Sequence, residues 1–178
     1  MTLVKIVNGD LLDAEERLII HQVNCQGKMN SGVAKAIREK WGQVFRDYKS
    51  LTEHVVPSEL LGTTQVVGIG NKQAVVNMFS QDDYGYDGER YTSYEAFYRC
   101  LVRVERIARR YNLSVALPYN IGCDRGGANW NIIYTMIEEV FKNHTQPIVI
   151  YNLNGQFQHS FLANVPPAQT TDKELVLN

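Results

Sequence analysis

Cysteine is scarce in this 178-residue chain, with Cys25, Cys100 and Cys123 as the whole set. An odd, sparse set excludes a disulfide-built scaffold and reads as a reduced protein of the cytoplasm. No Cys or His spacing has the pattern of a zinc site, and no cofactor or metal is expected. Long apolar runs are also missing. The longest fall far short of a bilayer's thickness, so no membrane partner is expected. The N-terminus enters a strand-like segment without the basic stretch and apolar run of a signal peptide. Charge of either sign is not in excess: 18 Lys and Arg against 19 Asp and Glu leave a net −1. That balance argues against a large nucleic-acid footprint, though a local basic patch fits within it. No repeat or linker divides the sequence, and its length is that of one domain with a full core.

What the chain does contain is an alternation of strand and helix patterns. Leu3 to Val7 alternates as a strand, and Asn8-Gly9-Asp10 follows as a turn. Leu18 to Val23 is a second, more buried strand. Val33, Ala34, Ile37, Trp41, Val44, Phe45 and Tyr48 recur at helical spacing, which predicts one helix from Gly32 to Ser50. Pro57 marks a connection. Gly62 to Ile69 and Ala74 to Phe79 then form a hairpin through Gly70-Asn71-Lys72. A polar, aromatic loop runs from Ser80 to Ser93, where Thr92 or Ser93 caps a helix extending to Tyr111. Ser114 to Leu117 is a short strand, Trp130 to about Asn143 a third helix, and Ile148 to Tyr151 the last strand. The polar stretch 154–178 reads as a loosely packed or poorly ordered tail behind a domain of residues 1–153. Helices alternating with strands, interrupted by one hairpin, predict a three-layer α/β/α fold with a mixed central sheet and a site at the strand ends.

Two stretches share one grammar. His21 to Ala34 (HQVNCQGKMNSGVA) and Leu117 to Trp130 (LPYNIGCDRGGANW) each pass from a strand through a loop of Gly and Asn into a helix start. Glycines let backbone approach a ligand closely, and free N–H groups at a helix N-terminus favour an anion. Two such loops on neighbouring strand ends would grip a diphosphate from both sides.

At these loops the chain resembles the macro domain family over about Leu3 to Leu153. The resemblance rests on Asn8-Gly9-Asp10, the two loops, and Ile150-Tyr151-Asn152 on the last strand. The form LIIHQVNCQG is most similar to ADP-ribose-1″-phosphate phosphatases, and is also similar to the branch that removes ADP-ribose from carboxylate side chains. The resemblance implies ADP-ribose or ADP-ribose-1″-phosphate as ligand. It implies that Asp10, beside Leu11, accepts from the adenine amino group, with Tyr151 and Asn152 bordering the ring. Asn24 would bind the distal ribose, and Gln26 would also bind the ligand. Ser31, Gly32, Val33 and Ala34 would offer the helix start to one phosphate. Pro118, Ile121, Gly122, Cys123, Arg125, Gly126 and Gly127 would wrap the diphosphate and distal ribose. The chain departs from the hydrolase branch twice. Gln81, Asp82 and Asp83 stand near that branch's lysine, and Gly126 stands at its aspartate, with Asp124 two residues earlier.

His21 and Asp124 are the candidate catalytic residues. An imidazole near neutral pH serves as a general acid for the leaving ribose oxygen or as a phosphate partner; the alternative is a strand-end histidine satisfied by backbone. Asp124 either orients a water or closes its own turn. Cys25 and Cys123 read as small buried residues rather than nucleophiles. Lys28 and Arg125 either attract an anion or are solvated. Tyr84, Tyr86 and Tyr91 form a lid or pack on the next helix. Asp82, Asp83 and Asp87 lack a full calcium-loop pattern. Three functions remain open at this point: a phosphatase of ADP-ribose-1″-phosphate, an ADP-ribosyl hydrolase, and a module that only binds ADP-ribose, with a nucleotide-binding regulator of another α/β fold as the outside option. No protein partner is implied.

Overall fold

The computed structural model describes residues 4–154. Apart from Asn154, the expected tail lies outside them. Six strands form one sheet: β1 (Val4–Asn8), β2 (Leu18–Asn24), β3 (Thr64–Gly70), β4 (Gln73–Gln81), β5 (Val115–Pro118) and β6 (Ile148–Asn152). Their order is β1-β6-β5-β2-β4-β3. All neighbouring pairs are parallel except the β3–β4 hairpin, so the sheet is mixed, as the sequence predicts.

Side chains alternate across a sheet, so each strand feeds two cores. Leu18 and Ile20 join Val76, Met78, Leu117 and Ile150 on one face. Helices α4 (Tyr94–Tyr111) and α5 (Trp130–Phe141) cover it through Phe97, Leu101, Val104, Ile133 and Ile137. Ile19 and Val23 join Val75, Phe79 and Ala116 on the other face. There α1 (Gly32–Lys40), α2 (Gly42–His54) and α3 (Pro57–Leu60) supply Ile37, Val44, Tyr48 and Leu60. Helices on both faces of the sheet make the three layers.

The single helix expected over Gly32 to Ser50 is two. Trp41 leaves the helical region (φ −126°, ψ 77°), although its N–H still donates to the Ile37 carbonyl at 2.8 Å. Gly42 follows, a weak helix former that restarts the coil as α2. The break is invisible to periodicity because Ile37 and Val44 both stay buried across it. Of the two proposed caps, Ser93 is the one used. Its Oγ accepts from the Ala96 N–H at 3.1 Å, while the Thr92 hydroxyl is turned to the second glycine loop.

Candidate functional site

The carboxyl ends of β2, β4, β5 and β6 open on a continuous cleft. Its first chamber is lined by Asp10, Leu11, Leu12, Tyr151 and Asn152, its second by His21, Gln22, Asn24, Lys28, Gln81, Tyr84, Tyr86 and Arg125. Gly32, Val33, Pro118, Tyr119, Asn120 and Asp124 line both chambers and join them. Most of the residues singled out in the sequence thus meet in one place. Gln26, Cys123 and Gly127, also expected at the ligand, are not among the residues that line it. The Gln26 amide donates to Asp82 at 3.1 Å, and the Cys123 thiol lies 3.5 Å from the Ile121 carbonyl. An alanine Cβ at Gly127 would fall 2.8 Å from the Glu89 carbonyl, so that glycine serves close packing between loops.

In the first chamber, one carboxylate oxygen of Asp10 caps the short 3-10 turn Leu11–Asp13 by accepting from the Leu12 N–H at 2.9 Å. Its other oxygen remains for a ligand donor. Tyr151 is held by a 2.8 Å bond from its hydroxyl to Glu16. Asn152 is buried, and its Nδ2 has no hydrogen-bond partner among the described residues. An acceptor, a ring and an unspent amide donor suit a flat heteroaromatic base.

At the junction, α1 begins without a side-chain cap, whereas Ser93 caps α4 and Asn129 caps α5. The first N–H groups of α1 therefore have no intrahelical acceptor and no capping oxygen, and Gly32, Val33 and Ala34 line the second chamber. Gly32 takes φ +56° and nothing lies within 4 Å of where its Cβ would stand. Here glycine serves the backbone path.

The first loop is braced by Asn24 and Tyr48. Asn24 Oδ1 accepts from the Gln26 N–H at 3.0 Å and from the Tyr48 hydroxyl at 2.8 Å, and its Nδ2 donates to the Lys28 carbonyl at 2.8 Å. Tyr48, fully buried in α2, also receives the Lys28 N–H at 3.0 Å. The Asn24 side chain is thus committed to shaping its loop. Asn24 also lines the second chamber, and this scaffolding part is one that sequence reasoning missed.

The second loop is braced from outside. Gln22 Nε2 donates to Gln81 at 2.6 Å and to Thr92 at 2.8 Å, and Thr92 Oγ1 donates to the Gly122 carbonyl at 2.8 Å. The Gly126 carbonyl accepts from Tyr91 and Thr92, both at 2.9 Å. A Cβ on Gly126 would lie 2.2 Å from Thr92 Oγ1 and 2.5 Å from the Gly122 carbonyl. No side chain fits there, so the aspartate of the hydrolase branch has no counterpart at that position. Gln81, near that branch's lysine, is spent on Gln22 and the Asp83 carbonyl.

His21 lies in the floor of the second chamber with 1% of its surface exposed. Its Nε2 is 2.6 Å from Asn77 Oδ1, and its Nδ1 has no partner among the described residues. Burial outweighs that hydrogen bond and lowers its pKa to about 4. The ring is therefore neutral at pH 7. A neutral ring carries no charge with which to pair with a phosphate, and one of its two nitrogens is a hydrogen-bond acceptor. Desolvation raises the pKa of Asp124, which favours its protonated form. Cys25 and Cys123 are pushed up to about 12 by burial, which makes both inert thiols. Tyr84 and Tyr86 reach the cleft, Arg125 stacks on Tyr86 at 4.1 Å, and Tyr91 instead donates to Asp87. Asp82, Asp83 and Asp87 each serve a different loop partner (Gln26, Tyr84 and Tyr91).

Comparison with known proteins gives the geometry a setting. No family model matches the chain. An ADP-ribose 1″-phosphate phosphatase of Ajellomyces capsulatus is 37% identical over 51 residues, which is 28% of this chain and 20% of that protein. The matches span about a fifth to a quarter of the length of the curated relatives. A protein of unknown function from Bacteroides thetaiotaomicron superposes with a TM-score of 0.74 at 26% identity, over 84% of this chain and 98% of that one. The macrodomain of Mycobacterium tuberculosis DarG does so with a TM-score of 0.73 at 20% identity, over 87% and 100%. Thermosipho africanus DarTG, solved in complex with ADP-ribose, gives 0.73 at 15% identity over 93% of this chain and 44% of that one. Over most of its length this chain has the fold of the macrodomains, and a stretch of about 50 residues is similar in sequence to ADP-ribose 1″-phosphate phosphatases.

Proposed function

We propose that residues 1–153 form a domain that binds ADP-ribose and hydrolyses ADP-ribose-1″-phosphate to ADP-ribose and inorganic phosphate. The observation that carries the binding reading is the order of features along the cleft. A base-sized chamber with Asp10 and Asn152 comes first, then the uncapped N-terminus of α1, then a polar chamber floored by His21. That order matches adenine, diphosphate and distal ribose. Lys28 and Arg125 add positive charge at the far end, where a 1″-phosphate would project.

In the reaction, water adds to the 1″-phosphorus as the bond from phosphorus to ribose O1″ breaks. His21 Nδ1 takes the proton from water, and the carboxyl of Asp124 returns one to O1″. Backbone N–H groups of the two loops stabilise charge on the phosphoryl oxygens. The phosphatases among the relatives support this reading, as does the closure of Gly126 against the side chain that the hydrolase branch uses.

The test measures phosphate release from ADP-ribose-1″-phosphate by the wild type and His21→Gln, with calorimetric binding of ADP-ribose to both. Turnover lost in the variant while binding persists is the expected result. Binding without turnover in the wild type overturns the phosphatase reading and leaves a module that only binds.

A further inference from the structure

Three polar residues lie in cross-strand register within an otherwise apolar face. His21 on β2 pairs with Asn77 on β4, and Asn77 pairs with Gln65 on β3. Their neighbours on that face are Ile19, Val23, Val75, Phe79 and Val67, all buried. Asn77 is fully buried as well. Polar groups in such a layer cost stability unless they are paired, and a local rule broken at a site marks function.

The pairing has a direction. Asn77 Nδ2 donates to Gln65 Oε1 at 3.0 Å, which leaves Asn77 Oδ1 facing His21 Nε2 at 2.6 Å. An amide oxygen only accepts, so Nε2 carries the proton. Nδ1 is then a lone pair, buried and unpartnered among the described residues, on a ring that lines the second chamber. A buried acceptor of this kind needs an O–H or N–H from what enters the cleft. The first chamber shows the opposite polarity, where Asn152 Nδ2 is the unspent donor.

We infer that Asn77, oriented by Gln65, is a positioning residue that holds His21 in the Nε2–H tautomer, so that Nδ1 accepts a hydrogen bond from a hydroxyl or water in the second chamber. The inference rests on the cleft holding an ADP-ribose-class ligand, but its first test does not. Nitrogen NMR of the imidazole in the ligand-free protein reads the tautomer directly. The Nε2–H form at pH 7 is expected; an Nδ1–H form or an imidazolium overturns the inference, whatever the enzyme assay gives.

Two variants extend the test. Gln65→Leu, at a half-buried position that tolerates an apolar side chain, frees Asn77 to turn its amide and is expected to yield mixed tautomers. Asn77→Asp keeps the shape and supplies a carboxylate that favours imidazolium, so Nδ1 becomes a donor. With ADP-ribose-1″-phosphate as probe, kcat is expected to fall by about tenfold or more while KM stays within about threefold. The pH profile should shift with the ring. Unchanged tautomer spectra in both variants overturn the positioning role. Should the wild type show the expected tautomer and no turnover, the phosphatase reading fails and the placement of the acceptor stands.

Discussion

The two glycine loops share a grammar in sequence and differ in what their glycines do. In the first, Gly32 has open space around it, and the loop is shaped from within by Asn24 and from below by Tyr48. In the second, Gly126 has no space at all, and the loop is fixed by Gln22 and Thr92 from neighbouring elements. Gly32 serves a backbone conformation that leaves N–H groups free. Gly126 lets backbone touch side chain. A glycine-rich motif therefore fixes the chain's path without saying which of these two purposes a given glycine serves.

Substitution breaks the comparison most sharply at Gly126. Gly126→Ala forces its Cβ against Thr92 and the Gly122 backbone, so the second loop must move. Overpacking of this kind costs about 3 kcal/mol at its upper range. Chemical denaturation should show that loss, and calorimetry should show ADP-ribose binding weakened together with it. A variant as stable and as tight-binding as the wild type would mean that the loop is not clamped by Thr92.

Acid separates the loops next, through His21 at the start of the first. Its folded pKa of about 4 lies below the ordinary value of 6.5, so the unfolded chain binds its proton first. The stability this confers is present above pH 6.5 and is lost as pH falls towards 4. A fully buried group with that displacement accounts for up to about 3 kcal/mol. Denaturation midpoints at pH 7 and pH 4.5 should therefore diverge more for the wild type than for His21→Gln. Equal divergence would contradict a neutral, buried ring.

The legible part of this molecule was its periodicity. Six strands, their hairpin and three long amphipathic segments follow from which positions are apolar, and the family resemblance brought Asp10, Tyr151, Asn152 and both loops to the cleft. Two kinds of feature were not legible. Strand order places β5 between β6 and β2, and nothing local in Ser114 to Leu117 encodes those neighbours. The break at Trp41 hides because hydrophobic spacing continues across it. The bracing residues Gln22, Tyr48, Asn77 and Thr92 also escaped, since their partners lie 24 to 70 positions away in sequence. Asn77 alone left a local trace, as one amide inside the apolar run Ala74 to Phe79.

At Gly32 the expected effect is smaller and of a different kind. Gly32→Ala meets no atom, but φ +56° is a conformation that a Cβ disfavours by about 1 kcal/mol. Relief of that strain would turn the helix start and misalign its free N–H groups. Affinity for ADP-ribose should fall more than stability does. Calorimetry beside thermal melting checks this, and equal losses in both would reduce Gly32 to a structural residue like Gly126.

Asp124 gives the smallest effect, opposite in sign to that of His21. Its pKa is raised by desolvation, so the folded protein disfavours its carboxylate. The penalty is present above the raised pKa and is relieved as pH falls through it towards the unfolded value. Asp124→Asn should therefore be slightly more stable than the wild type at pH 7, and the advantage should vanish in acid. The same carboxylate lines both chambers, where a diphosphate would pass. Asparagine at this position should bind ADP-ribose at least as tightly at pH 7 while slowing phosphate release, because it has no proton to return to O1″. Calorimetry against turnover separates the two effects. Such binding with undiminished turnover would remove Asp124 from the reaction and leave it as the turn residue that the sequence equally allowed.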